Sequence, residues 1–460
     1  MARAGRLGVR RQVALALFWF GISFVWGALF EVVLPFILVP EHPGPGNPLL
    51  VSPGEKNTAL SLMETGGLII ALLVQPAAGA FSDRFRSRFG RRRPLIGVGA
   101  VGAVGALLLI AVSPVYLFLV AVYCLLQFFM NIAQGAYQGL LPDTVPEAER
   151  GRASGWLGVA TLAGNVVGVV AVAPLAPRIA VLVIAAVVLA TSLFTIVGVR
   201  EAPSVAAPQQ RDRPAAQPAQ SPLRHLRAYL DEFARYPDFL WVVLSRFLIF
   251  TSLAGMQRFA AYFIDDQFRG RYSVFGIQLG SAQTATSVVL ATLILVGIVS
   301  TYPAVRLSDR IGRRAVIIGA ACCGAVSFIL LFLATSLTQV VLFSVPAALC
   351  FGGVVSVDWA FMADLAPAGR AGKFLGFSNL ATAGAQAAAP TILGPIIDAV
   401  NAHSSGPAGH GTGGYSVLFI TGAVFFVLGA LVLRRVRLQR LPGTLASGGE
   451  TGASTRLAVR

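Results

Sequence analysis

The chain has 460 residues, of which 56% are hydrophobic and only 12% charged, and its mean hydropathy is +0.74. A water-soluble fold of this length needs more polar surface, so a soluble enzyme or binding module is excluded. The net charge of +16 does not indicate a nucleic-acid partner either, because all but six of the 36 lysines and arginines fall in the two tails and in alternate loops. The six exceptions are Lys56, Arg178, Arg246, Arg258, Arg269 and Arg271. This is the positive-inside pattern: it expects a plasma-membrane protein with both termini in the cytoplasm, and it assigns the basic excess to orientation and anionic lipid headgroups.

The amino terminus carries Arg3, Arg6, Arg10 and Arg11 ahead of an apolar run at 13–39. That run is too long for a cleaved signal segment and has no small-residue exit, so it reads as a first transmembrane helix. Further apolar runs of about 20 residues or more fall at 57–81, 94–113, 115–141, 152–174 and 178–199. After a break they resume at 238–264, 282–307, 315–335, 338–363, 374–397 and 415–433. The expected fold is therefore an all-α polytopic membrane protein of twelve helices. Residues 1–200 form one six-helix bundle and 237–440 the other. Between them, 201–236 opens with a Pro/Ala/Gln-rich stretch that reads as a cytoplasmic linker, and Leu223–Tyr236 reads as a short surface helix. Residues 441–460 read as a disordered tail. The four cysteines all lie in apolar runs and read as packing residues.

The two halves repeat. At a constant offset of 221, Asp143, Pro146, Gly151 and Gly155 match Asp364, Pro367, Gly372 and Gly376, and Asn165 falls opposite Gln386. A charged hairpin also recurs once per half. The first, Ser82–Pro94 (SDRFRSRFGRRRP), holds six arginines; the second is Ser308–Arg314 (SDRIGRR).

These hairpins carry a resemblance. Gly79, Asp83, Arg84, Gly90, Arg91 and Arg92, echoed by Asp309, Arg310, Gly312, Arg313 and Arg314, resemble the helix 2–3 signature of the major facilitator superfamily. The fuller form of the first is similar to the sucrose-transporter branch and its bacterial relatives, near the glycoside–pentoside–hexuronide symporters. Asn131, Gln134, Gly135 and Asp143 at the exit of the fourth run fit the same branch. The resemblance implies a monomeric sugar carrier whose helices 1, 4, 7 and 10 line a central cavity. One departure is plain. The aspartate and arginine that plant sucrose carriers hold in helix 4 fall here on Gln127 and Gln138, so any proton coupling must use other groups.

Charges within hydrocarbon are costly unless paired or wetted, which marks each as a functional candidate. Glu31 in the first helix and Glu64 in the second are candidate proton-coupling groups. Arg258 in the seventh is a candidate partner of Glu31. Asp358, beside Trp359 in the tenth, is a second coupling or binding group. Structural ion pairs are the alternative reading of all of these. Arg246 reads as a snorkelling, structural residue. Gln127, Asn131, Gln134 and Gln138 repeat at spacings of four, three and four, one polar stripe along the fourth helix. Neutral amides donate to and accept from sugar hydroxyls without changing charge as the site empties, so the stripe is a candidate substrate face, with Asn165 and Gln386 beside it. The hairpins are expected to latch: Asp83 pairing Arg91, Asp309 pairing Arg313, and Asp143 and Asp364 joining each cluster when the cytoplasmic side closes.

No phosphate-binding loop, HExxH or paired-cysteine spacing occurs, so no cofactor or metal is expected. Gly97–Gly102 (GVGAVG) matches a dinucleotide fingerprint only literally; with no preceding strand it reads as close helix packing. The expectation is a secondary transporter that carries a sugar or glycoside with protons by alternating access. The alternative is a proton-antiport exporter of a drug or hydrophobic metabolite, against which the missing antiporter glycine signature around Gly164–Gly168 argues.

Overall fold

A computed structural model describes residues 9–44, 47–145, 149–199, 201, 233–365, 371–404 and 412–436. The expected linker and tail lie almost wholly outside these residues. Among the described residues, twelve helices are long and apolar enough to cross a membrane. Helix α1 is composite: Val9–Val25 is α-helical, Trp26–Val33 π-helical and Leu34–Leu38 α-helical again. The rest of the first half comprises α2 (Lys56–Arg84), α3 (Arg93–Ala111), α4 (Tyr116–Thr144), α5 (Arg150–Val172) and α6 (Pro177–Gly198). The second half comprises α7 (Pro237–Phe268), α8 (Ala282–Ile311), α9 (Arg313–Phe332), α10 (Leu337–Leu365), α11 (Ala371–His403) and α12 (Gly413–Leu433).

Local chemistry sets several boundaries. Prolines at the first helical positions start α3, α6 and α7, where a missing N–H costs nothing. Ser281 caps α8 by accepting from the Thr284 amide at 3.1 Å. Between α7 and α8 the chain makes a two-stranded hairpin, β1 (Ser273–Val274) with β2 (Ile277–Gln278), which the sequence reading did not anticipate. Its two turn residues, Phe275 and Gly276, both have positive φ, as the tightest hairpins require. Inside the Gly97–Gly102 segment, a Cβ on Gly99 would stand 2.6 Å from the Phe129 carbonyl of α4, so this stretch does serve close helix packing.

The packing repeats with the sequence. In the first half α1 packs on α5 and α6, α4 on α2 and α3, and α3 on α6. In the second half α7 packs on α11 and α12, α10 on α8 and α9, and α9 on α12. Every pairing recurs six helices later, which makes the two bundles structural copies. The bundles meet chiefly along α2 with α11 and α5 with α8.

Candidate functional site

Near the middle of these helices the two halves enclose a cavity of about 420 Å³. Residues of α1, α2, α4, α5, α7, α8, α10 and α11 line it, while α3, α6, α9 and α12 contribute none. The four expected helices are thus joined by their neighbours at the interface between the halves.

Glu31, Glu64 and Arg258 all face this cavity. The sequence reading paired Arg258 with Glu31. The structure instead places Arg258 Nη1 3.2 Å from Glu64 Oε1, and Glu31 forms no salt bridge among the described residues. Arg258 thus bridges α7 to α2, although α7 also packs against the π-helical segment of α1 that carries Glu31. Neither oxygen of Glu64 accepts a well-aligned hydrogen bond from the described protein, although the residue is only 8% exposed. The cavity therefore holds two carboxylates against one guanidinium.

The π-helical winding decides where Glu31 points. In a regular α-helix, residues five apart lie about 140° apart around the axis. The i→i+5 bonding of a π-helix brings such residues back above one another. Leu34 N–H donates to the Leu29 carbonyl, five residues back, as this winding requires. Trp26, Phe30 and Glu31 consequently all line the cavity.

Gln127, Asn131 and Gln134 of α4 line the cavity too, with Asn165 on α5 and its repeat mate Gln386 on α11. Gln127 Nε2 donates to the Tyr123 hydroxyl at 3.0 Å, and Asn131 Nδ2 donates to the Gln127 carbonyl at 2.8 Å. Gln134 and Gln386, with Gln75 and Gln257 beside them, make no hydrogen bond among the described residues, so their amides are free for a ligand. The sequence reading missed Gln75, Gln257 and Tyr123; a polar side chain inside an apolar run was the available signal. Gln138, one turn beyond Gln134, is exposed and lies outside the cavity lining.

Asp358 was expected to face the pathway and does not line the cavity. It is ion-paired with Arg246, their side chains being 4% and 3% exposed. Arg246 Nε also donates to Thr382 Oγ1 at 2.7 Å. Arg246 does not snorkel, because its partner on α10 compensates the charge in place. The side chain of Trp359 lies outside the described residues.

Each hairpin ties its own half together. In the first, Arg91 pairs with Asp143 at 2.6 Å, and Arg92 bonds Asp143 and Asp83 at 2.9 and 2.6 Å. Asp83 therefore pairs with Arg92, not with Arg91. Glu201, just beyond α6, accepts the Arg92 amide at 2.9 Å and so caps the start of α3. Gly90 has φ of +97° and its missing side chain leaves room for the Glu201 carboxylate. In the second hairpin Arg313 pairs with Asp364, not with Asp309, and Arg314 donates to the Arg434 and Val436 carbonyls beyond α12. Arg84, Asp309 and Arg310 are exposed and make no ion pair among the described residues. Gly312 has φ of +88°. Arg91–Asp143 and Arg313–Asp364 are repeat equivalents, and all their partners lie within one half. The latch expectation, bonds that form when the halves close at this end, is therefore corrected: the bonds stand without contact between the halves.

The halves are joined at the opposite end, by residues the sequence reading passed over. Lys56 of α2 pairs with Asp266 of α7 at 2.6 Å, and the Tyr415 hydroxyl donates to the other Asp266 oxygen at 2.7 Å. Asp398 of α11 accepts from Asn57 Nδ2, Thr58 N and Thr58 Oγ1, each at 2.7 Å. Gln283 of α8 donates to carbonyls at the end of α5, and its amide donates to Glu41 at 3.1 Å. Burial holds the Glu41 carboxyl above the ordinary carboxylate range, against the lowering effect of that bond. Among the described residues, every hydrogen bond and ion pair between the halves lies between the cavity and this end. The conformer is closed here and unbonded at the hairpin end.

Comparison with known proteins follows the same lines. The model of the Major Facilitator Superfamily matches residues 44–390 and 272–458. The general alpha-glucoside permease of Schizosaccharomyces pombe is 29% identical over 142 residues, 27% of this chain and 26% of the permease. Proton-associated sugar transporter A of Homo sapiens is 47% identical over 57 residues, 12% of this chain and 8% of that protein. The matched stretches are therefore a small part of those relatives. Among solved structures, a nucleoside transporter superposes with a TM-score of 0.70 at 12% identity, covering 93% of this chain and 98% of its own. A D-xylose-proton symporter superposes at 0.64 with 16% identity, covering 92% and 97%. At such identities these likenesses establish the fold.

Proposed function

The chain belongs to the major facilitator superfamily, a membrane transporter and not an enzyme, and from that premise we propose that it carries a sugar or glycoside in symport with protons. The basic loops support placing the hairpin end at the cytoplasmic face of a plasma membrane, so that the end at which the halves are bonded faces outward. A monomer suffices, since both halves of the cavity come from one chain.

One observation carries the coupling. Glu31 and Glu64 share a cavity with one guanidinium, leaving one negative charge to be matched inside the membrane. A proton is the smallest group that can match it without filling the space the solute needs. Asp358 drops out of this role because Arg246 already matches it. The sugar assignment is supported by the glutamine amides that make no hydrogen bond among the described residues and by the partial matches to two sugar carriers.

The test is sugar-evoked proton movement in proteoliposomes, screening sucrose, maltose, trehalose and related glycosides. Symport predicts alkalinisation of the outer medium on addition of one of them. Silence for every sugar, together with proton-driven efflux of an apolar cation, would transfer the assignment to the exporter.

A further inference from the structure

Trp26 and Phe30 lie on the same cavity wall as Glu31, in a lining that mixes amides and charges with apolar side chains. Their rings stack with centroids 4.6 Å apart and planes 21° from parallel. Phe30 is buried and held on two further sides: Tyr123 meets it edge-on at 5.4 Å and 88°, and the Arg258 guanidinium lies 5.7 Å from its centre. Trp26 is only partly buried and lines the cavity, so a rigid aromatic stack presents its outer member to the empty space. Glu31, in the same π-helical segment, lines the cavity with them.

We infer that Trp26 is the ring platform of the solute site and sets its preference for glycosides whose pyranose ring has an uninterrupted C–H face. This inference rests on the sugar reading above and adds a specificity-determining residue to it. A pyranose is amphipathic: its ring hydrogens form an apolar face and its hydroxyls an equatorial rim. The electron-rich face of an indole attracts the first, as it does the positive edges of other rings. The rim then reaches groups with unused capacity, the amides of Gln134 and Gln386. Phe30, pinned by Tyr123 and Arg258, keeps the platform from turning, so little order is lost when the ring binds.

The experiment compares Trp26→Ala and Trp26→Phe in the full chain, using counterflow of maltose and of p-nitrophenyl α-glucoside in proteoliposomes. The alanine variant should raise KM about tenfold, the scale of one lost ring-stacking contact, with kcat changed much less. The phenylalanine variant should recover most of that loss, a rescue that a packing role alone does not require. If the alanine variant is too unstable to assay, fluorescence decides: the chain has five tryptophans, and a sugar-evoked change in the wild type should vanish in Trp26→Phe while sugar binding persists. A wild-type KM in the alanine variant, or an unchanged fluorescence response in Trp26→Phe, overturns the platform while leaving the sugar reading intact. Failure of the wild type to bind or exchange any glycoside removes both.

Discussion

Replacing Glu31 by Gln should leave sugar exchange running and abolish uphill accumulation. The substitution removes the surplus carboxylate, so Glu64 and Arg258 remain as a neutral pair and the cavity no longer needs a proton. A proton crossing one pH unit releases about 1.4 kcal/mol, enough to sustain about a tenfold sugar gradient at one proton per sugar. The wild type should approach that ratio under an imposed gradient, and Glu31→Gln should settle at equal concentrations on both sides. Glu64→Gln should behave alike, since Arg258 then has Glu31 for its partner. The double variant leaves a lone guanidinium inside the membrane and should lose binding altogether. Measuring accumulation and exchange side by side separates these outcomes, and a Glu31→Gln variant that still concentrates sugar would sink the charge argument.

The second large effect concerns stability. Arg246→Met strands the buried Asp358 carboxylate, which has no other ion-pair partner among the described residues. Removing one partner of a buried pair typically costs about 3–5 kcal/mol, much of it the desolvation of the survivor. Thermal unfolding of the solubilised protein should shift down clearly in Arg246→Met. Most of the loss should return in Arg246→Met/Asp358→Leu, where no charge is left uncompensated. The double variant should also keep sugar-driven proton movement, because its pair lies outside the cavity lining. Loss of coupling there, with stability restored, would return Asp358 to the proton pathway.

The sequence was informative wherever one dimension suffices. Helix number follows from the length of apolar runs, the duplication from a constant offset, and the amides of α4 from their spacing along one helix. It failed where azimuth across an interface decides. Depth alone made Glu31 and Glu64 equally good partners for Arg258, and only the three-dimensional arrangement brings the guanidinium to Glu64. Likewise a π-helical turn changes which side chains share a face, yet it leaves no period in eight residues that a reader could count. Lys56, Asp266 and Asp398 sit at the ends of apolar runs, where charges ordinarily meet water, so their joint burial between the halves had no local signature.

Asp398 has one further consequence. The first amides of any helix lack partners within that helix, and in α2 the Thr58 amide finds its acceptor on α11, in the other half of the molecule. The opening turn of α2 is thus completed only while the two bundles touch at that end. Each time they part, this N–H is released to solvent and becomes free to trade its hydrogen for deuterium. Isotope exchange at Thr58 is in this sense a counter built into the backbone. Its rate should rise with a solute that drives cycling and fall with one that arrests the form in which the halves are bonded at that end, reporting the traffic of the carrier without any label on its cargo.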